Sequence, residues 1–481
     1  MVKLEVDIDN LANEASELIR AFYPRQTVDI AMERPYDGQS PRMTCKWQDN
    51  LWITTFDKDG ESVTKTFDVG EPFDGEDDIL YKRRVKDGLK VTVYNAIKAF
   101  EGRGLPYGML TGVRPLAISN RHLDTSAPQK TVDTLMERYD ISPEKAELLT
   151  RTSMVQRRYM PRADDVSLYL HVPFCTTRCN YCSFPSELLE RVLPHLDGYM
   201  KALEKETEFI TSTAKGRLET LYVGGGTPTA LPMEHFERLC KICSDAVSAR
   251  GIGEFTLEAG RPDTIDEEKL RLMKAAGVTR ISINPQTMND KTLERIGRQH
   301  TSKDIVRVYE LARSVGFDNI NMDLIVGLTG ETKDDVKATF DKIHSLAPDG
   351  ITVHVLALKH ASQLNRDGVD IFGGMDGIEE LIAQEYERLD KCGYFPYYLY
   401  RQKYMLGGLE NVGFCKEGCV CRYNIRMMDN DSTCWAAGAG SASKRCYAQD
   451  TRIERSVNPK NAADYIARLD ECIEKKRAIM D

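Results

Sequence analysis

The chain has 481 residues, of which 41% are hydrophobic and 29% charged, a composition typical of a globular protein with room for more than one domain. Its net charge of -9 implies no general affinity for nucleic acid, and no apolar run approaches the ~20 residues that span a bilayer. The N-terminus, MVKLEVDIDNLANEASELIR, carries acidic residues where a signal peptide needs an apolar core, so we expect a cytoplasmic protein with reduced thiols.

Residues 1–160 predict an N-terminal α+β accessory domain. Leu4 to Phe22 reads as a helix-rich start, and the segments TVDIAM, MTCKWQ, LWITTFD and VTKTFDV alternate like strands. The segment DILYKRRVKDGLKVTVYNAIKAFEG then predicts a basic helix. Its run KRRVK is either a solvated helix face or a contact for carboxylates or for an acidic electron-donor protein.

Three cysteines lie close together in HVPFCTTRCNYCSF, at Cys175, Cys179 and Cys182. This C-x3-C-x2-C run offers one thiolate fewer than a closed tetrahedral zinc site or a four-cysteine cluster needs. One interpretation is a structural zinc site that a distant residue such as His171 completes. The other is a four-iron, four-sulfur cluster with three protein ligands and one open iron, which the spacing favours because zinc sites usually pair C-x2-C knuckles.

Residues 161–365 alternate strand-like and helix-patterned segments. The strand-like segments end near Val172, Gly226, Ala259, Gln286, Gly327 and Leu358. The helix-patterned segments between them include Asp197 to Ala214, Met233 to Ser248, Ser302 to Val315 and Lys333 to Leu346. About six β–α units in succession predict an α/β fold, a partial (β/α)6 barrel whose chemistry lies beyond the carboxyl ends of the strands.

Glycines and polar residues recur at those strand ends. The sequence Gly224-Gly225-Gly226-Thr227-Pro228 follows the second strand, where glycines let backbone N–H groups approach an anionic or amino-acid ligand. Glu258, Gln286 and Asp323 lie at later strand ends, and Arg298 lies in IGRQH. Each could be a surface or capping residue, but their recurrence predicts a shared pocket.

Residues 366–481 form a smaller C-terminal region with a second cysteine group, Cys415, Cys419 and Cys421. Two alternatives remain open for this group: a second metal or iron–sulfur site, or ordinary reduced thiols. Cys240 and Cys243, one helical turn apart, predict core positions on a helix.

The ordered motifs YLHVPFCTTRCNYC, GGGTPT, LEAGRPDT, NPQ, IGRQHT and NMDLIVGL resemble the radical S-adenosylmethionine (SAM) superfamily, in its oxygen-independent coproporphyrinogen III oxidase-like branch. The flanking segments LPYGMLTGVRPLAIS and LENVGFCKEGCVCRYNIRMMDN resemble the longer form of that branch, the coproporphyrinogen dehydrogenase of Firmicutes. The C-terminal region is therefore expected to be oxidase-like.

This resemblance implies that Cys175, Cys179 and Cys182 hold a [4Fe-4S] cluster whose open iron binds SAM, with Tyr169 also in the catalytic site. Further SAM contacts are implied for Tyr169, Tyr181, Gly225, Gly226, Thr227 and Glu258. Gln286, Arg298, Asp323 and Ala357 match positions implied to bind a second SAM molecule.

The implied reaction is the oxidative decarboxylation of two propionates of coproporphyrinogen III, giving protoporphyrinogen IX in haem biosynthesis. The substrate is a tetra-anionic tetrapyrrole, for which Arg178 and Lys359 are candidate partners. No glycine motif for a nicotinamide or flavin is present, so electrons are expected from a flavodoxin or ferredoxin-type protein, with no nucleic-acid or membrane partner.

Two departures from the oxidase pattern keep an alternative open. The short oxidases place a cysteine where this chain has Phe184, and their tyrosine-containing N-terminal arm has no copy here. Related haem chaperones carry histidine and tryptophan where this chain reads YNIRMM, Tyr423 to Met428. The alternative is a haem-binding chaperone, or an anaerobic haem-modifying protein, that retains the radical SAM cluster.

Overall fold

The computed structural model describes residues 1–30, 40–162, 164–357, 366, 377–403, 405–428, 432–447 and 452–480. The chain folds into two compact units: residues 1–151 with 401–410, and residues 152–400 with 411–481. No described helix combines the length and the apolar composition that crossing a bilayer requires. The division into domains at residues 160 and 365 stays a prediction.

The first unit contains a five-stranded sheet in the order β2-β1-β3-β4-β5. The strands are β1 Val2–Val6, β2 Val28–Asp29, β3 Arg42–Gln48, β4 Leu51–Lys58 and β5 Glu61–Asp68. The helices that begin in this unit are α1 Ala12–Phe22, α2 Asp78–Glu101, α3 Leu116–Leu123, α4 Pro128–Tyr139 and α5 Pro143–Arg157. Buried side chains of α1, α2 and the sheet form one core, which includes Leu18, Trp52 and Val93.

The prediction of a helix-rich start was wrong for its first residues. Val2–Val6 form a strand because Val2, Leu4 and Val6 alternate with polar residues, which is the period of a strand with one buried face. The basic helix was confirmed as α2, which begins after Asp77, whose side chain accepts a hydrogen bond from Leu80 N–H.

The second unit is built on six consecutive parallel strands, β6 and β9–β13, within an eleven-stranded sheet. The strands of this unit are β6 Asp165–Val172, β7 Phe174–Cys175, β8 Glu187–Leu188, β9 Arg217–Gly225, β10 Glu254–Gly260, β11 Arg280–Ile283, β12 Ile320–Val326, β13 Gly350–Val355, β14 Phe395–Tyr400, β15 Asn411–Cys415, β16 Thr433–Ala437, β17 Ala442–Cys446 and β18 Ile453–Val457. The expected partial α/β barrel is confirmed.

Helices connect successive strands, as a parallel sheet requires. They are α6 Leu189–Val192, α7 Leu196–Thr213, α8 Met233–Arg250, α9 Glu267–Ala275, α10 Asp290–Arg295, α11 Ser302–Ser314, α12 Lys333–Leu346, α13 Ile378–Lys391, α14 Arg422–Met428, α15 Ala462–Ala467 and α16 Leu469–Met480. Cys240 and Cys243 are buried on α8, as their spacing predicts.

The C-terminal strands extend the parallel sheet on both sides. β15 pairs antiparallel with β13, while β16 pairs parallel with β6. Helix α14 lies at the amino ends of the parallel strands, because Glu254, the first residue of β10, accepts hydrogen bonds from Arg422 N–H and Tyr423 N–H. The C-terminal region therefore closes the end of the sheet opposite the cysteine loop.

Candidate active site

Six strands each contribute a half-buried polar or aromatic side chain to one face of the sheet, which we call the lumen. Its residues are Tyr169, Tyr222, Glu258, Asp323, His354 and Tyr400. On two of these strands the lumen residue is the only one that is not buried: Tyr169 on β6 and His354 on β13. A face of accessible polar groups inside an otherwise apolar sheet is the arrangement expected of a ligand pocket.

The lumen has an aromatic floor contributed by α14. The Tyr423 ring stacks on Tyr222 with centroids 4.3 Å apart and on Tyr169 with centroids 6.1 Å apart. The helix that carries Tyr423 is fixed by Arg426, which is 1% exposed and forms ion pairs with Asp165 and Glu219. Tyr423 therefore has a fixed place beneath the two tyrosines of β6 and β9.

The cysteine loop follows β6 and is held against the loop after α10. Asn180 N–H donates to Ile296 O over 3.3 Å, and Thr177 Oγ1 donates to Gly297 O over 3.2 Å. Arg261 Nη1 donates to Thr177 Oγ1 over 2.7 Å. These contacts fix the backbone of the loop between Cys175 and Cys182.

The three loop cysteines share one environment. Burial raises the pKa of Cys175, and the Thr227 hydroxyl, 3.6 Å from its sulfur, partly offsets this effect. Burial also raises the pKa of Cys182, on which the charges of Cys179 and Cys175 act in the same direction. Thiols such as Cys175 and Cys182 lose their protons readily when a metal centre takes up the negative charge.

These cysteines fit an iron–sulfur cluster better than a zinc ion. Within the described ranges, no three histidine, cysteine, aspartate or glutamate side chains are placed to hold one metal ion. A [4Fe-4S] cluster does not need that arrangement, because each cysteine binds a different iron. His171, the proposed fourth zinc ligand, is 5% exposed and its Nδ1 lies 2.5 Å from Ala439 O.

The glycines at the end of β9 and directly after it leave no room for side chains. A Cβ on Gly225, whose φ is +112°, would lie 2.0 Å from His171 Cδ2, and one on Gly226 would lie 2.5 Å from Phe174 O. A Cβ on Gly224 would lie 2.8 Å from the carboxyl group of Glu258. The backbone at the end of β9 is thus packed directly against β6, the cysteine loop and Glu258.

Glu258 lies beside these glycines with its proton affinity raised. Its Oε1 accepts a hydrogen bond of 2.6 Å from the Tyr222 hydroxyl. Burial raises the pKa of Glu258 to about 7, although the Tyr222 hydrogen bond acts in the opposite direction. The carboxyl group can therefore exchange a proton near neutral pH.

Arg298 links the cysteine loop to the fourth strand end. Its Nη2 donates to the Tyr181 hydroxyl over 2.9 Å and its Nη1 donates to Asn284 O over 3.3 Å. Its Nε is buried and, in the part of the chain that the structure describes, has no hydrogen-bond partner. Burial raises the pKa of the Tyr181 hydroxyl, which keeps it neutral beside the guanidinium.

Gln286 and Asp323 meet through their backbones. Gln286 N–H donates to Asp323 O over 2.9 Å, and Ile325 N–H donates to Gln286 O over 2.8 Å. Asp323 Oδ1 accepts from Asn321 Nδ2 over 2.7 Å. Burial by itself raises the pKa of Asp323, but hydrogen bonds with His354, Asn321 and Thr352 reverse this, so the net shift is downward.

Tyr222, His354, Tyr400 and Tyr423 belong to this site, and the sequence analysis assigned none of them a role. His354 Nε2 lies 3.9 Å from Asp323 Oδ2, and His354 Nδ1 lies 3.3 Å from the Tyr400 hydroxyl. Tyr222 lies two residues before the glycines in the sequence, and this position could have predicted its place at the site. In the structure it pairs with Tyr169 of β6. Tyr400 and Tyr423 come from the C-terminal region and carry no comparable signal.

Three other predicted residues and the second cysteine group are not among the lumen residues. Ala357 is buried just beyond β13, Arg178 is exposed on the cysteine loop, and Lys359 lies outside the described residues. Cys415 pairs with Gly350, the first residue of β13, and Cys421 Sγ lies 3.6 Å from Glu254 Oε1. The second cysteine group thus lies at the opposite end of the strands from Cys175.

Comparison with known proteins agrees with this geometry. The family description "Radical SAM superfamily" matches residues 169–343. The chain is 34% identical over 404 residues to the oxygen-independent coproporphyrinogen-III oxidase-like protein HemZ of Bacillus subtilis (strain 168), covering 82% of this chain and 81% of that protein.

Two further similarities are informative. The heme chaperone HemW of the same Bacillus subtilis strain is 37% identical over 195 residues, covering 40% of this chain and 51% of that protein. The structure of coproporphyrinogen III oxidase (HemN) from Escherichia coli, described as a radical SAM enzyme, superposes with a TM-score of 0.50 at 21% identity. That superposition covers 66% of this chain and 72% of the other, and it supports the fold.

Proposed function

The chain belongs to the radical SAM superfamily, in the branch that resembles oxygen-independent coproporphyrinogen III oxidase, and we propose that it is a radical enzyme acting on a tetrapyrrole. Its cofactors are those of the superfamily, a [4Fe-4S] cluster and SAM. Cys175, Cys179 and Cys182 would hold the cluster, which would supply with SAM the radical chemistry of the superfamily.

One observation carries the proposal: the cysteine loop and the lumen carboxylates meet at the carboxyl ends of the same parallel strands. Thr227, from the glycine turn, contacts Cys175, and Arg298 contacts Tyr181 within the loop. Glu258 and Asp323 add two carboxyl groups to the lumen, and hydrogen bonds with His354, Asn321 and Thr352 lower the pKa of Asp323, which keeps it ionised. An acidic lumen with tyrosine faces suits a cationic ligand such as the sulfonium and ammonium groups of SAM.

Each predicted residue then has a physical role. Cys175, Cys179 and Cys182 bind the cluster, and the backbone at Gly225, Gly226 and Thr227 approaches the amino-acid part of SAM without steric hindrance from side chains. Tyr169 and Tyr181 flank the cofactor, and Glu258 accepts hydrogen bonds from it. Gln286, Arg298, Asp323 and Ala357 contact SAM or a second SAM molecule.

The reaction that we propose is the oxidative decarboxylation of coproporphyrinogen III. At each of two propionates a β-hydrogen atom is removed, carbon dioxide leaves, a vinyl group forms, and one electron passes to an acceptor protein. The carboxylates of the substrate belong at the mouth of the lumen, because Glu258 and Asp323 repel them below it. Arg178, exposed beside Cys182, is the candidate partner there.

The electron donor is proposed to be a flavodoxin or a ferredoxin. In the first unit, Lys82 and Arg83 are exposed at the start of α2, where Lys82 forms a long ion pair of 3.7 Å with Asp78. Exposed pairs of this kind contribute little to stability, so these cations remain available to an acidic protein.

Haem binding is the second candidate, because the chain is also similar to haem chaperones. His354 in the lumen is a residue type that ligates haem iron. The segment Tyr423–Met428 offers no histidine, and its Tyr423 is packed against Tyr222. Titration of the protein with haem, followed by visible absorption of wild type and His354→Ala, tests this candidate.

Anaerobic turnover tests the main proposal. The cluster is reconstituted and reduced, SAM and coproporphyrinogen III are added, and the oxidised porphyrins are analysed by mass spectrometry. We expect the loss of two carboxyl groups, abolished by Cys179→Ala but not by Cys240→Ala, a buried thiol on α8. Cleavage of SAM with an unchanged porphyrin would contradict the proposed substrate.

A further inference from the structure

Gln286 has a backbone conformation that few residues other than glycine adopt. Its φ is +67°, and it is held there by the hydrogen bonds that its N–H and C=O make with Asp323 and Ile325 of β12. A residue with a side chain is strained in this region, so the surrounding structure must hold it in place.

The Gln286 side chain is buried, with an exposure of 7%. Its Oε1 has no hydrogen-bond donor among the residues that the structure describes. Gln286 and Glu331 line the same narrow cavity, which has a volume of about 10 Å³. A buried carbonyl oxygen without a donor destabilises the fold, and a proton donor in this cavity removes that penalty.

Hydroxyl groups fix the direction of the hydrogen bonds around Glu331. Met288 N–H donates to Thr339 Oγ1 over 3.1 Å, and Asn289 N–H donates to Thr287 Oγ1 over 3.1 Å. The Thr287 hydroxyl donates its only proton to Glu331 Oε1 over 2.6 Å. Thr339 then donates to Thr287, 3.1 Å away, and Glu331 accepts at the end of the chain.

Glu331 can be either protonated or ionised near neutral pH. Burial raises its pKa to about 7, while the Thr287 hydrogen bond acts in the opposite direction. The charged groups that face it are Asp335 of α12, which raises the pKa, and Arg295 of α10, which lowers it. Lys342 Nζ, on α12, is bound to Met288 O over 3.2 Å.

We propose that Glu331 is a positioning residue that sets the orientation of the Gln286 amide and thereby the affinity for SAM. The protonated carboxyl group has an O–H to donate to Gln286 Oε1. The ionised group presents only acceptors to that oxygen and pushes the amide away. This inference rests on the proposed function only in that Gln286 contacts SAM, and it is independent of the substrate.

SAM affinity of the cluster-reconstituted protein, measured by equilibrium dialysis at pH about 6 and about 8, tests the inference. The variants are Glu331→Gln, whose amide is a permanent donor, and Glu331→Ala, which has none. The control is Glu294→Gln, an exposed carboxylate on the neighbouring helix α10. Because Glu258 also titrates in this range, the quantity to compare is the ratio of each variant's dissociation constant to that of wild type at the same pH.

We expect Glu331→Gln to match wild type at the lower pH and to bind about fivefold more tightly at the higher pH. We expect Glu331→Ala to bind about fivefold more weakly at the lower pH and to match wild type at the higher. The control should match wild type at both. Ratios that do not change with pH for Glu331→Gln would overturn the inference, whereas failure of tetrapyrrole turnover with these ratios intact would overturn the proposed function alone.

Discussion

Tyr222 lowers the pKa of the lumen carboxylate Glu258. Its hydroxyl donates to Glu258 Oε1 and lowers a pKa that burial raises to about 7. Tyr222→Phe removes a donor to a buried carboxylate, so we expect the pKa of Glu258 to rise further. The difference should appear as a higher midpoint in the pH dependence of SAM binding.

The control for this prediction is Tyr169→Phe. Tyr169 lies in the same lumen, with its ring centroid 6.2 Å from that of Tyr222, but the hydroxyl that donates to Glu258 Oε1 is that of Tyr222. Tyr169→Phe should leave the midpoint unchanged even if it weakens binding. Equal shifts from both substitutions would show that Tyr222 has no specific effect.

A second prediction concerns Glu331 and the dependence of the free energy of unfolding on pH. Its pKa is about 7 in the folded protein against a reference value of 4.5, so the folded state binds more protons between these values. The free energy of unfolding must therefore fall as the pH rises from about 4.5 to about 7. Glu331→Gln removes this contribution, which is ~3 kcal/mol at about 1.36 kcal/mol per pKa unit.

Chemical denaturation of wild type and Glu331→Gln at several pH values measures this contribution. We expect the variant to gain stability relative to wild type as the pH rises above about 5, with the gain complete above about 8. A difference in stability that is constant across this range would show that Glu331 titrates normally in the folded protein.

The turn at the end of β9 tolerates only glycine at residue 225. Gly225→Ala places a Cβ 2.0 Å from His171 Cδ2 at a φ of +112°, so the β6 and β9 ends must separate. We expect loss of SAM binding together with a decrease of a few kcal/mol in the free energy of unfolding, ~1–2 kcal/mol of it from the backbone alone.

Gly251→Ala is the matched control for Gly225→Ala. Gly251 ends α8 with a φ of +61°, and a Cβ there meets no atom of the described residues within 4 Å. It should therefore show the backbone cost alone and retain SAM binding. If Gly225→Ala binds SAM as tightly as Gly251→Ala, the close packing of the glycine turn is not needed for the site.

The strand and helix pattern of the second unit could be predicted from the sequence. Helix α12 has the bounds Lys333–Leu346 that its pattern predicts, because Thr332 and Asp335 form a capping box at its start. The polar residues at strand ends could be predicted as one site because parallel strands place their carboxyl ends at one edge. The role of His354 could not be predicted, because its partner in the site, Tyr400, is on β14, 46 residues away along the chain.

The contribution of the C-terminal region could not be predicted for the same reason. Tyr423 reaches the lumen only because Glu254 binds the start of α14 at the far end of β10. The initial strand β1 was missed because it has only five residues, Val2–Val6, and helical residues begin soon afterwards, at Asp9. Local periodicity thus predicts elements and strand ends but not which distant side chains complete the pocket.

A buried ion pair connects the C-terminal helix α16 to α7 in the second unit. Lys476 and Glu206 are both 0% exposed and 2.6 Å apart, and Glu206 also accepts from Tyr465 and Asn458. Lys476→Met leaves the Glu206 carboxylate buried without its cation, so we expect a loss of ~3–5 kcal/mol in the free energy of unfolding.

The double substitution Lys476→Met with Glu206→Gln distinguishes charge from packing. It removes both charges, so it should lose less stability than Lys476→Met alone, as measured by chemical denaturation. Lys475→Met, whose ion pair with Glu471 is exposed, should change stability little. A double variant that is as unstable as the sum of its single variants would show that the pair is not coupled.

We propose that the lumen directs a SAM-derived radical at a tetrapyrrole propionate. The test is to supply coproporphyrinogen III deuterated at the propionate β-carbons, with SAM, to the reduced and reconstituted protein. We predict that the 5′-deoxyadenosine recovered carries deuterium and that the porphyrin product has lost two carboxyl groups. Unlabelled 5′-deoxyadenosine beside intact porphyrin would contradict the claim.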